Sequence, residues 1–220
     1  MSALEEKFSE FVRSDRFPCV GAKAARARKT ITVVAAEDFT RPADDGRVHA
    51  ALCDFGRSLD PDAPFVQSCA VIYRQPTDLD EQGFEKALWA RLQAFHDLDV
   101  TTGNTWAESV SSDPQSRHFS MSIGNQAYFV VGLHPGASRP ARRFDHPTLV
   151  FNSHDQFERL RADGRYEKMQ KIIRERDRAL AGDINPMLND FGRSSEARQY
   201  SGRKVGDTWR CPFEAREEIR

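Results

Sequence analysis

Hydrophobic residues recur at helical spacing in five parts of the chain. The first part begins at Ser2, which with Glu5 three residues later is typical of a capped helix start, and Pro18 marks its end. Its apolar face carries four residues: Leu4, Phe8, Phe11 and Val12. The same spacing predicts helices over residues 47–59, 79–98, 153–161 and 166–180.

Runs rich in β-branched and aromatic residues predict five strands, over residues 30–36, 65–73, 118–123, 128–133 and 148–151. Gly124-Asn125 lies between the third and fourth of them and is typical of a hairpin turn. Because the last three strands follow one another without an intervening helix, we predict a mixed, largely antiparallel sheet with helices packed on it. The predicted fold class is α+β rather than doubly wound, in a single domain over residues 1–220.

The segment over residues 185–213 lacks regular hydrophobic periodicity but is rich in large aromatic residues, namely Phe191, Tyr200, Trp209 and Phe213. Disordered tails avoid such side chains, since they cannot bury enough apolar surface to offset chain entropy. We therefore predict a long, ordered, irregular C-terminal segment. Two interpretations remain open: a functional segment, as long ordered loops usually are, or a strap that only covers a sheet edge.

The formal net charge of −1 provides no long-range field for nucleic acid or for a membrane surface. No run approaches the ~20 apolar residues that a membrane-spanning helix needs, and the acidic start is unlike a signal peptide. The four cysteines are far apart, without a CxxC pair. These features predict reduced thiols and a cytoplasmic protein that binds neither nucleic acid nor membrane.

Fingerprints of dinucleotide-binding, P-loop and nucleophile-elbow proteins are absent, so the six histidines are the main candidates for redox or metal chemistry. His96 lies on the apolar face of its predicted helix, either as a ligand or as a cap of the last carbonyls. His134 follows a strand and precedes three arginines that could face an anion; the alternative is a turn residue beside a solvated rim.

The remaining candidates have simpler explanations. His154 is expected to help cap the helix that it begins, and the other three histidines are interpreted as structural. Cys211, before Pro212, is a thiol that could ligate haem iron, but a buried structural thiol is favoured. Cys19 precedes a turn of small residues, where a lowered pKa is conceivable, although a plain buried cysteine is again favoured.

An ordered succession of short segments resembles the YqcI/YcgG family over nearly the whole chain, from Phe17 to Phe213. The matching segments are 17–19, 88–89, 95–99, 129–135, 138–144, 151–158, 173–177, 185–188, 195–203 and 209–213. Some members of this family look like haem-dependent N-hydroxylases that act on guanidino groups. The resemblance thus implies a monooxygenase with heme b, using O2 and a small guanidino substrate such as arginine.

Such chemistry needs an axial ligand, cations for the propionates and a carboxylate for the guanidinium. We predict His96 as the first choice of iron ligand, His134 as the second and Cys211 as the third. The predicted propionate anchors are Arg139, Arg142 and Arg143. The candidate substrate carboxylates are Glu108, Asp190 and Glu196, among which the sequence does not select.

Two alternatives remain open at this point. The first is a haem-binding or haem-buffering protein without turnover. The second is a protein without haem whose C-terminal segment binds a partner. No flavin or nicotinamide fingerprint is visible, so the enzyme hypothesis also implies a separate electron donor.

Overall fold

A five-stranded sheet with helices on both faces organises the computed structural model, which describes residues 2–183 and 192–216. Within these ranges the helices are α1 (Ala3–Arg13), α2 (Val20–Ala27), α3 (Asp45–Ser58), α4 (Glu81–Thr101), α5 (His154–Ala162), α6 (Arg165–Ala181) and α7 (Ala197–Tyr200). The strands are β1 (Ile31–Asp38), β2 (Ser68–Gln75), β3 (Met121–Ile123), β4 (Gln126–Leu133) and β5 (Thr148–Ser153).

The strand order is β1-β2-β5-β4-β3, with β5 in the centre. Only the β1–β2 pair among them is parallel; β2–β5, β5–β4 and β4–β3 are antiparallel. The predicted α+β class, with a mixed and largely antiparallel sheet, is therefore confirmed. Among the helices just described, none is both long and apolar enough to cross a bilayer.

Local capping explains where the first and longest helices begin. Ser2 Oγ accepts a hydrogen bond from Glu5 N at 3.3 Å, and Glu5 Oε2 accepts from Ser2 N at 3.1 Å, which completes a capping box for α1. Asp80 Oδ1 accepts from Gly83 N at 2.7 Å at the start of α4. The sequence did not predict α2, whose side chains are small or basic and which buries only Ala25.

Alternation along the strands separates two hydrophobic layers. Cys69, Val71 and Tyr73 of β2 belong to the larger cluster, which includes residues of α3 and α4. Ala70 and Ile72 of the same strand belong to a second cluster that includes residues of α1. The second layer has fewer buried hydrophobic residues than the first, and it contains the cavity described below.

The C-terminal segment is ordered and packed over residues 192–216, as predicted; residues 185–191 of that prediction lie outside the described ranges. Tyr200 and Phe213 are fully buried within the larger hydrophobic cluster. Arg142 joins the segment to the sheet by donating hydrogen bonds to three carbonyls, those of Gly132 (3.1 Å), Tyr200 (3.0 Å) and Gln199 (3.0 Å). The segment is therefore part of the fold.

Gly132 lies where the C-terminal segment crosses β4, and its lack of a side chain permits that approach. A Cβ at Gly132 would lie 2.6 Å from Phe84 Cε1 and 2.9 Å from the Tyr200 carbonyl oxygen. We expect Gly132→Ala to lower the free energy of unfolding by about 1–3 kcal/mol, because the Tyr200 carbonyl oxygen belongs to the backbone and cannot move without shifting the C-terminal segment. Denaturant unfolding measures this change in stability.

The matched control is Gly46→Ala in α3, where a Cβ would meet nothing within 4 Å. It should leave stability unchanged or raise it by up to about 1 kcal/mol, since alanine has the higher helix propensity. Equal effects of the two substitutions would show that the close approach at Gly132 does not constrain the fold.

Candidate active site

A cavity of about 280 Å³ lies between the sheet and the helices of the second layer. Its volume is close to the lower end of the ~300–1,000 Å³ that is typical of small-molecule sites. Apolar side chains from α1, α6 and the strands form much of the wall, including Phe8, Val12, Val131, Val150 and Ile173. Polar groups join this wall from the β2 and β5 strands, from α5 and from the C-terminal segment.

His154 brings an imidazole to the cavity wall because β5 ends at Ser153 and α5 begins at the next residue. The side chain is only 3% exposed, and its Nε2 lies 3.7 Å from Glu158 Oε1. Burial lowers the pKa of His154, and the nearby carboxylates of Glu158 and Asp155 only partly oppose this. The neutral imidazole, the form that binds metals, is therefore favoured near pH 7.

Glu196 brings a carboxyl group to the same wall from the C-terminal segment, immediately before α7. It is 4% exposed, and its Oε2 accepts a hydrogen bond from Ser120 Oγ at 2.9 Å. Burial raises the pKa of Glu196 to about 8, although the Ser120 hydrogen bond and the Arg161 charge lower it. The carboxyl group is thus largely protonated at neutral pH while no cation enters the cavity.

Two of the predicted propionate anchors, Arg139 and Arg142, also line the cavity, but both guanidinium groups already have partners. Arg139 forms ion pairs with Asp177 and Asp183. Arg142 is bonded to the three carbonyls described above, and burial lowers its pKa to about 10. An anionic ligand would therefore compete with internal hydrogen bonds at both residues.

Neither of the predicted histidine ligands lines the cavity. His96 of α4 is 5% exposed, with its ring edge-on to those of Trp106 and Phe213, and its Nε2 accepts a hydrogen bond from Arg216 N at 2.8 Å. His134 is 1% exposed and stacks on Phe84 with ring centroids 4.2 Å apart. Desolvation lowers both pKa values. Their assignment as iron ligands is untested, and their position outside the cavity favours His154 in their place.

The other predicted site residues lie elsewhere. Glu108 and Arg143 are exposed and away from the cavity, and Asp190 is outside the described ranges. Cys211 is buried in the larger hydrophobic cluster, where desolvation raises its pKa to about 12. Cys19 does line the cavity, but its Sγ accepts a hydrogen bond from Ala22 N at 3.4 Å, and burial raises its pKa.

Comparison with known protein families matches residues 8–214 to the YqcI/YcgG family. The chain belongs to the YqcI/YcgG family. None of the curated proteins or solved structures compared with it matches. Two of the segments on which the resemblance rested meet at the cavity of this YqcI/YcgG protein: residues 151–158 contain His154, and residues 195–203 contain Glu196.

A second cluster of potential ligands in this YqcI/YcgG protein consists of His49, Cys53 and Asp99, whose ligand atoms lie within 4.8 Å of one another. His49 Nε2 donates to Asp99 Oδ1 at 2.6 Å and lies 3.7 Å from Cys53 Sγ. Because one nitrogen faces both partners, this is not a relay from thiol through imidazole to carboxylate. Asp99 also accepts from Gly124 N and Asn104 Nδ2, so the cluster fastens the β3–β4 turn to α3 and α4.

Proposed function

We propose that this protein is a haem-dependent monooxygenase that N-hydroxylates a guanidino compound, arginine or a derivative, in the cavity behind the sheet. The observation that carries the proposal is a largely apolar cavity that holds two buried groups: the His154 imidazole, whose pKa burial lowers, and the Glu196 carboxyl group, which forms no ion pair with a described residue. Membership of the YqcI/YcgG family is in keeping with the proposal, since some of its members look like haem-dependent N-hydroxylases.

The donor groups of the cavity fit a b-type haem. His154 would hold the iron through its neutral imidazole, and the apolar walls would contact the macrocycle. Arg139 and Arg142 would bind its propionates in exchange for the internal partners that they have in this structure. A haem is larger than an amino acid, so a cavity of about 280 Å³ would enclose only part of it. When bound, the haem supplies the oxygen chemistry, as cofactors generally do.

The chain itself supplies position and electrostatics. The apolar wall excludes water, and the buried carboxyl group offers a partner to a cationic substrate. Electrons would come from a separate donor protein, since the sequence has no flavin or nicotinamide fingerprint. We place the protein in the cytoplasm, in keeping with its four unpaired cysteines.

The first test is a spectrum of the purified protein with and without added hemin. We expect a saturable Soret band at one haem per chain, with a shift when carbon monoxide is added to the reduced form. With arginine, O2 and a reductant, mass spectrometry should then detect a product heavier by one oxygen atom.

The outcomes separate the alternatives. A Soret band without any hydroxylated product from arginine or related guanidines would favour haem binding without turnover. Failure of the protein to bind hemin would exclude the proposed function.

A further inference from the structure

Among the described residues, Glu196 has hydrogen-bond partners but lacks the cationic partner that a buried carboxylate normally requires. Within the described ranges, no ion pair joins it to a cationic side chain. Its hydroxyl donor is also shared: Ser120 Oγ lies 2.9 Å from Glu196 Oε2 and 3.0 Å from the Tyr128 carbonyl oxygen, and one hydroxyl has only one hydrogen to donate. Ionised carboxylates are rarely buried without a positively charged partner.

The charged groups that face Glu196 do not supply the missing positive charge. From α5, Arg161 favours the charged form of Glu196 whereas Glu158 disfavours it, and the two form an ion pair with each other. From α7, the Tyr200 hydroxyl accepts a hydrogen bond from Met121 N at 3.0 Å and can donate only one in return. The carboxyl group is thus held in place by hydrogen bonds without a full counter-charge.

The other ionisable groups on the cavity wall have partners of their own. Arg142 is bonded to carbonyls, and Arg139 is paired with Asp177 and Asp183. His154 favours its neutral form. A ligand with a positively charged nitrogen would therefore find in Glu196 a preformed partner that is shielded from water.

We infer that Glu196 determines the charge specificity of the cavity: it pairs with a cationic nitrogen group of the ligand and releases its proton to solvent when that group binds. The identity of the cation as a guanidinium rests on the proposed function. The requirement for positive charge does not, because it follows from the burial of Glu196 and applies with or without haem.

Calorimetric titration with butylguanidine, a cation over the whole pH range used, and with its neutral isostere butylurea tests the inference, in protein with and without hemin. Wild type should bind butylguanidine more tightly than butylurea. Near pH 7, heats measured in buffers of different ionisation enthalpy should show release of close to one proton per butylguanidine. The affinity for butylguanidine should rise about tenfold or more from pH 6.5 to 9, as the ionised fraction of Glu196 grows.

Glu196→Gln keeps the shape of the side chain and an acceptor for Ser120 but removes the charge. We expect the affinity for butylguanidine to fall about 10- to 100-fold, the range for a charge-assisted hydrogen bond, with proton release lost and the affinity for butylurea little changed. Glu85→Gln is the matched control, since it neutralises a buried carboxylate that is paired with Arg203 and does not line the cavity. It should leave butylguanidine binding within about threefold of wild type.

The wild-type measurements test the inference even if Glu196→Gln fails to fold. Equal affinity for butylguanidine and butylurea, no proton release, or no detectable butylguanidine binding would each overturn it. These outcomes are distinct from failure of the proposed function: a protein that never binds hemin but selects butylguanidine through Glu196 keeps the inference, whereas a haem protein without charge selection loses it.

Discussion

Replacing His154 by alanine is expected to abolish the stoichiometric Soret band of the hemin-loaded protein while leaving the fold intact. His154 is the histidine that the described cavity wall presents, and its buried, neutral imidazole is the form that ligates iron. The measurement is a hemin titration followed by absorbance, with far-UV circular dichroism to verify folding. Imidazole added to His154→Gly should restore part of the band, which a purely structural role would not produce.

His96→Ala and His134→Ala are the matched controls, since both side chains are as buried as His154 but lie outside the cavity. We expect both variants to retain the Soret band. If His96→Ala loses the band and His154→Ala keeps it, the haem binds in the layer of α3 and α4, and the assignment of the cavity as the haem site is wrong.

Replacing Arg142 by alanine is expected to lower the free energy of unfolding by about 3–5 kcal/mol, which corresponds to a fall of about 10 °C in Tm for a chain of this size. The guanidinium group is buried and donates to three carbonyls that belong to β4 and to the C-terminal segment. Its loss removes the guanidinium donor from all three carbonyls in a region with little access to water, although the Gln199 carbonyl keeps a second donor, Gly202 N at 3.3 Å. Thermal and urea unfolding measure the effect.

Arg143→Ala is the control next to it in the sequence. The Arg143 guanidinium is exposed and bonds to the carbonyls of Ala137 and Ser138 in its own loop, so we expect a cost under about 1 kcal/mol. Arg142→Lys should recover only part of the loss, because an ammonium group cannot reproduce the planar fork of a guanidinium. A wild-type Tm for Arg142→Ala would show that the three hydrogen bonds contribute no net stability.

Most helices and strands could be predicted from the sequence, because the buried positions within each element recur at its own helical or strand spacing. The helix predicted over residues 79–98 is α4 (Glu81–Thr101), and the Gly124-Asn125 turn does join β3 to β4. The strand predicted over residues 118–123 is reduced to Met121–Ile123. His118 lies in a turn, Phe119 forms only an isolated bridge with Ser111, and Met121 N donates to Tyr200 Oη. Here a distant residue overrides local propensity.

The candidate site was less predictable, because its wall combines residues of five helices, α1, α2, α5, α6 and α7, with residues of four strands. The local sequence around His154 indicates only a helix start; its burial at the cavity depends on neighbours that no local spacing reveals. Of the three acids proposed for the substrate, Glu108 is exposed and Glu196 lines the cavity, a difference set by where the C-terminal segment crosses the sheet. The sequence identified Arg139, Arg142 and Arg143 as a group of cations. It could not reveal that Arg139 is paired with two aspartates or that Arg142 is bonded to three carbonyls.

The central position of β5 has a consequence for the order in which the protein folds. The β3–β4 hairpin and the β4–β5 pair join neighbouring segments, whereas the Ser68–Asn152 hydrogen bond between β2 and β5 joins positions 84 residues apart. Contacts so distant in sequence close late, because the chain entropy of a long loop must be lost first. Ser68 and Asn152 also line the cavity. Ligand binding would therefore report on the last stage of folding, when β1 and β2 join the meander of β3, β4 and β5.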